Sequence, residues 1–224
     1  MTGAINELLN YAQKAWGKEV KQIVENVKLR EPFEILVGTV LSQNTNDKNS
    51  SMAFMRLKKL TEITPLGIIK VKEEELAKAL RVAGLYRERS KRLKELARII
   101  AERYNGDLTW IKCLPLEEAR KRLLELPGVG YKTADILLAF YGGRPVLPVD
   151  THIRRIAIRL GYASSKDGYE KIRRALENEI APEMRIYAHL LLIRFGRNIC
   201  KARKPLCDVC PITAFCKHFN ARAT

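Results

Sequence analysis

The chain has 224 residues, with 41 Lys and Arg against 25 Asp and Glu and a formal net charge of +16 at pH 7. That length supports a sizeable core in one large or two small domains, and the basic excess points to an acidic polymer or an anionic surface as partner. No apolar run approaches a membrane span, and the first 25 residues carry acidic side chains and no signal-peptide core, so the expectation is a cytoplasmic protein that binds nucleic acid and no membrane.

From the start of the chain, Leu8, Leu9, Ala12, Trp16, Val20 and Ile23 recur near the helical period and predict one amphipathic helix over 5–28. Pro32 opens the next helix, which runs through Phe33, Ile35, Leu36, Val37 and Val40. A polar cluster, Ser42-Gln43-Asn44-Thr45-Asn46-Asp47, stops that pattern and caps a helix over 48–60 through Asn46 or Asp47. Pro65 and Gly67 mark a break up to Lys72, and 73–82 is a short helix with an acidic start. Gly84-Leu85-Tyr86 is a turn before a long basic helix, 87–104; the Arg and Lys residues of 87–94 sit beside that turn and suit phosphate contact. Asn105-Gly106-Asp107 ends it, Cys113 lies in a loop as a structural or incidental thiol, and 116–124 is a further helix.

Leu126-Pro127-Gly128-Val129-Gly130 then interrupts the helical pattern. Gly128 and Gly130 can take positive φ, so the chain turns tightly and bares its amides. A helix follows over 132–141, with Ile136, Leu137 and Phe140 facing inward. Bared N–H groups at a helix N-terminus form an anion site, here for a nucleic-acid phosphate. Lys132 lies in the first turn of that helix, where the dipole and basic neighbours disfavour the ammonium and favour a nucleophilic amine. Asp150 follows Pro148-Val149 and precedes a helix beginning Thr151-His152. Singly, Asp150 is an ordinary N-cap and Lys132 a solvated cation; together with the hairpin they suggest an active pair.

Helices are expected over 151–160, 169–179 and 184–199, and His152 and His189 read as capping or hydrogen-bonding residues rather than acids or bases. In the tail, Cys200, Cys207, Cys210 and Cys216 give C-x6-C-x2-C-x5-C. Four cysteines in one short basic segment argue for a metal site rather than disulfides. Four thiolates suit zinc or an iron–sulfur cluster, and spacing alone leaves both open.

The pattern resembles the endonuclease III family of helix-hairpin-helix DNA glycosylases, over nearly the whole chain from about Glu31 to Cys216. The family hairpin reads LPGVG-x-K-T-A, with a V-D-T-H aspartate eighteen residues after the lysine; Lys132, Thr133, Ala134 and Val149-Asp150-Thr151-His152 match it. Tyr131 departs from it, standing where family members often carry Arg. The lysine sets the chain apart from the mismatch enzymes, which usually carry Ser or Tyr there and cleave only the glycosidic bond.

The resemblance implies an all-α fold of two helical lobes. One is a helical barrel with the helix-hairpin-helix, residues 31–144. The other joins residues 1–30 to 145–224 and holds a [4Fe–4S] cluster loop, 200–216. The DNA groove lies between them, with the catalytic pair, Lys132 and Asp150, at its mouth. By the same resemblance, Gln43 or Asn44 fills the gap left by an extruded base and Leu85 wedges into the duplex. Gly128, Val129, Gly130, Tyr131, Thr133 and His152 contact DNA, as do Lys201, Arg203 and Lys204 between the first two cluster cysteines.

The implied activity is base-excision repair. A monomeric glycosylase and abasic-site lyase removes oxidised pyrimidines from double-stranded DNA, and acts on abasic sites, through a lysine Schiff base; in a prokaryote it would be associated with the nucleoid. Two alternatives stand beside it: a mismatch thymine or uracil glycosylase, and a non-catalytic helix-hairpin-helix DNA-binding protein.

Overall fold

The structure is a computed structural model that describes residues 3–223, and among these no strand occurs. The chain divides into two compact units: Leu29–Gly143, and the stretch up to Lys28 joined to the chain from Arg144 onward.

The internal unit holds eight helices, α2 (Pro32–Ser42), α3 (Asp47–Leu60), α4 (Pro65–Lys70), α5 (Glu73–Leu80), α6 (Tyr86–Tyr104), α7 (Trp110–Cys113), α8 (Leu116–Leu124) and α9 (Tyr131–Phe140), preceded in the chain by α1 (Ala4–Lys28) of the other unit. α2 is apolar on nearly every face and packs against α3 and α9, burying Leu36, Val37, Val40 and Leu41. α6 packs on α4 and α5 through Leu93, Leu96 and Ile100. α9 is buried from Thr133 to Phe140 and so lacks the polar face expected of an amphipathic helix. Its one interior carboxylate, Asp135, is fully buried and accepts from Arg120 Nε of α8 at 2.9 Å, with Glu117 also bonded to that guanidinium. A buried ion pair of this kind costs desolvation and holds only while both partners remain.

Two readings of this unit change. Residues 65–70 form a helix rather than a break, because Thr64 Oγ1 accepts from Gly67 N at 3.0 Å and Pro65 fits the first helical position. Gly67 is dictated there by packing, since a Cβ would stand 2.3 Å from Glu62 O. In the basic stretch of α6, Arg89 and Lys94 point inward instead of facing a phosphate backbone; Lys94 Nζ donates to Ile69 O at 2.9 Å. Arg87, Lys91 and Arg92 keep the exposed face.

The other unit packs α1 along α12 (Arg185–Asn198), with α10 (Thr151–Leu160) also on α12 and in contact with α11 (Tyr169–Glu177) and α13 (Lys217–Ala223). Ile5, Leu8, Val20, Ile156, Leu191 and Phe195 make its core. No helix among the described residues is long and apolar enough to cross a membrane.

Candidate active site

In the internal unit, α8 ends and Leu126 N donates to Leu123 O, after which Val129 N donates to Leu126 O at 3.1 Å and closes the hairpin. Gly128 sits at φ 78 and needs to be glycine; Gly130 does not, at φ −95 and ψ 178 as the N-cap of α9. The expectation that both glycines turn left-handed is therefore half right. Val129 also departs from expectation: its amide is committed within the turn and its side chain is buried. That leaves Gly130 and the first turn of α9 to present donors to an anion. A Cβ built on Gly130 meets nothing within 4 Å, so the approach to its amide is open.

Lys132, the second residue of α9, follows this hairpin in the chain and is half-buried; Tyr131 before it is 45% exposed and Thr133 after it is buried. Gln43 reaches the hairpin: its Nε2 donates to Gly128 O at 3.1 Å and lies 3.4 Å from Thr133 Oγ1. Asn44 next to it is exposed and left-handed at φ 52. Leu85 is also left-handed, at φ 47, and 57% exposed, and Gly84 before it has φ 71. A leucine held in that conformation with its side chain in solvent is a strained arrangement of the kind that clusters at functional sites. The structure thus joins Gln43, Gly128 and Thr133.

The residue that sequence reasoning missed is Arg89, only 5% exposed, which donates to Gly84 O at 2.9 Å, to Val40 O at 2.8 Å and to Gln43 O. Burial, and then the charge of Arg92, push its pKa below the ordinary arginine value. Nothing in the run Arg87-Glu88-Arg89-Ser90-Lys91 distinguishes it locally, because two of its acceptors, Val40 O and Gln43 O, are backbone carbonyls distant in sequence.

In the second unit, Asp150 caps α10: one carboxylate oxygen, Oδ1, accepts from Ile153 N at 2.9 Å. The segment leading to it, Val146–Val149, is buried and held from outside. Leu147 N donates to Glu177 Oε1 at 2.8 Å, Val149 N donates to the Tyr169 hydroxyl at 3.2 Å, and His189 Nδ1 donates to Pro148 O at 2.8 Å. The aspartate therefore stands at the end of a pinned strap. His152, one residue beyond Thr151, is half-buried, with Nδ1 accepting from Arg155 Nη2 at 3.1 Å. Burial lowers its pKa below the ordinary histidine value, against the opposing pull of Asp150. Arg155 in turn donates to Gly196 O and to Cys200 O, linking α10 to the start of the cysteine loop.

The four tail cysteines line one pocket with Ile156, Leu160, Phe195 and Ile212. Among the described residues no three Cys, His, Asp or Glu side chains converge tightly enough for a single metal ion; the thiols instead ring the pocket. Burial, and then the neighbouring Cys200, Cys216 and Cys207, push the Cys210 thiol above its ordinary pKa, against an opposing Ile212 backbone bond. Four thiols lining one pocket suit iron as a donor set, since ligation replaces their protons. Arg159 adds a cation, donating to Cys200 Sγ at 3.2 Å and to the carbonyls of Lys201 and Ala202. Lys201, Arg203 and Lys204 are exposed on that loop, with Lys204 left-handed at φ 50.

Comparison with known proteins gives two family matches: the HhH-GPD superfamily of base excision DNA repair proteins over residues 37–182, and the iron–sulfur binding domain of endonuclease III over 200–216. Endonuclease III of Thermotoga maritima is 36% identical over 205 residues, covering 91% of each chain. The structure of a trapped endonuclease III–DNA covalent intermediate is similar with TM-score 0.82 and 31% identity, over 100% of this chain and 99% of the other. A non-covalent endonuclease III–DNA complex matches with TM-score 0.76 and 31% identity, over 92% of this chain and 97% of the other.

Proposed function

The chain belongs to the endonuclease III family of helix-hairpin-helix base-excision DNA repair proteins, and from that membership we propose how its own residues perform the reaction. It is a DNA glycosylase with abasic-site lyase activity and carries a [4Fe–4S] cluster. In the proposed mechanism Gly130 and the first turn of α9 hold a phosphate, and the damaged nucleotide leaves the stack, which costs least for a poorly stacked base. Leu85 enters the duplex as an apolar wedge and Asn44, the exposed member of its pair, occupies the vacated space. Tyr131 is exposed beside the nucleophile and takes the place where the family often has Arg.

The nucleophile is Lys132 as an uncharged amine. Its nitrogen lone pair forms a bond to C1′ as the C1′–N bond to the base breaks, the electron pair leaving with the base and a proton following it. Asp150, through the oxygen not engaged in capping α10, offsets the positive charge that develops on the sugar or takes the lysine's proton. Ring opening leaves a protonated Schiff base at C1′. That cation acidifies C2′; loss of a C2′ proton drives cleavage of the C3′–O bond, the phosphate departs, and water then releases Lys132. Cys200, Cys207, Cys210 and Cys216 would hold the cluster, which would tie down a loop poor in apolar side chains and leave Lys201, Arg203 and Lys204 to face the phosphate backbone. His152 supports α10 through Arg155 and carries no proton in this scheme.

The observation that carries this reading is the lysine itself, at the second position of α9 behind the hairpin. The preferred bases are oxidised pyrimidines such as thymine glycol, and the protein acts as a monomer in the cytoplasm, on the nucleoid in a prokaryote. A lesion panel tests it. Duplexes carrying thymine glycol should be nicked without added base or heat, leaving an unsaturated aldehyde at the 3′ side, and Lys132→Ala should lose both steps. Excision confined to thymine or uracil opposite guanine, with the strand intact, would instead make the enzyme a mismatch glycosylase.

A further inference from the structure

Two residues of the internal unit are exposed, are not glycine, and hold the left-handed conformation in turns assigned above to the duplex: Asn44 at φ 52 and Leu85 at φ 47. The carbonyl immediately before each is an acceptor for the same side chain. Arg89 donates to Gly84 O, before Leu85, and to Gln43 O, before Asn44, while a third bond goes to Val40 O. We propose that Arg89 is a positioning residue that orients the wedge and the gap-filling side chain together, before DNA is bound. This rests on the roles given to Leu85 and Asn44 above.

The chemistry suits that task. Arginine presents five donors in a rigid planar fork and stays charged when buried, so one side chain can fix several carbonyls at set angles. Val40 O, which also accepts from Gln43 N, and Gln43 O belong to the C-terminal end of α2, where a cation is favoured. Gly84 O belongs to the turn that leads into α6, the helix that carries Arg89 itself. Leu85 alone would relax towards a less strained backbone, and Asn44 sits at the end of a helix whose last turn would fray. A guanidinium bonded to both preceding peptide units opposes both motions at once. The Gln43 side chain extends the same linkage to Gly128 O, which ties the hairpin that precedes Lys132 to the end of α2. Pre-ordering of this kind removes an entropic cost from the bound state rather than adding a contact to DNA.

The test compares Arg89→Lys, which keeps the charge but cannot span three carbonyls, in two backgrounds of the full-length, cluster-loaded protein. Arg89→Met serves as a second variant if it folds. Single-turnover excision of thymine glycol is measured, and the fluorescence of 2-aminopurine beside the lesion reports unstacking of the duplex. In the wild-type background Arg89→Lys should slow excision by about tenfold and diminish the 2-aminopurine signal at saturating protein, with affinity for undamaged duplex unchanged. In the Leu85→Ala/Asn44→Ala background the same substitution should change the rate by less than about twofold, because the groups it positions are gone. An equal loss in both backgrounds, or no loss in the wild type, overturns the proposal alone. Wild-type excision by Leu85→Ala/Asn44→Ala overturns the roles of those two residues and the proposal with them.

Discussion

The two hairpin glycines differ in what they require, and this separates folding from binding at one site. Gly128 has φ 78, and a Cβ there would lie 2.4 Å from Arg92 Cδ. Arg92 is exposed and its chain can swing aside, so the steric part is cheap. The left-handed backbone remains, at about 1–2 kcal/mol for alanine. For a chain of this length that corresponds to a melting temperature lower by about 2–8 °C. Gly130 has φ −95 and open space where a Cβ would go. Gly130→Ala should leave stability within about 0.5 kcal/mol of the parent. It does, however, place a methyl group on the approach to the amide assigned to the phosphate, and should weaken binding to a duplex carrying a stable abasic-site analogue by about tenfold. Gly128→Ala should show both effects, because the strained turn displaces the amides it sets up. Thermal melts of cluster-loaded protein and fluorescence anisotropy read the two quantities. An unchanged melting temperature for Gly128→Ala would refute the backbone argument. Unchanged affinity for Gly130→Ala would refute the anion cradle.

Two further outcomes follow from buried groups. Asp135→Ala strips the fully buried partner from Arg120 beneath the helix that carries Lys132, and should cost about 3–5 kcal/mol in denaturant unfolding, with Arg120→Met/Asp135→Leu recovering most of it; a loss under about 1 kcal/mol would contradict the pairing. His152 binds its proton less readily folded than unfolded, so the unfolded state takes up more protons as pH falls, and stability declines as pH drops below the ordinary value of 6.5 towards the lower folded one. His152→Gln should flatten the pH dependence of the melting temperature across that window, and an unchanged slope would contradict the assignment.

The parts of the chain legible in advance were those whose signal is local. The period of Leu8, Leu9 and Ala12, the proline opening α2, the Asn46 cap and the spacing of the four cysteines each depend on neighbours a few residues away. The short helix α4 was hidden because Pro65 and Gly67 read as breakers, whereas one fills the first helical turn and the other makes room for Glu62 O. Likewise α13 follows the cysteine loop without a long apolar period to announce it. Arg89 and Lys94 read in the sequence as phosphate contacts because a basic run looks the same whether its acceptors are phosphates or backbone carbonyls. The conformation of Gly130 was misjudged for a related reason: glycine permits positive φ without requiring it, and here its use is open space above the amide. Composition signals a polyanionic partner, whereas the candidate amine is singled out only by the order hairpin, lysine, aspartate.

The identity of the nucleophile is the point on which the account turns. Incubating the protein with a thymine-glycol duplex in the presence of borohydride reduces any Schiff base to a stable amine, and peptide mapping of the adduct locates the attachment. The account predicts a covalent protein–DNA species linked through Lys132 and absent from Lys132→Ala. Efficient excision with no adduct, or an adduct that survives Lys132→Ala at another residue, would contradict it.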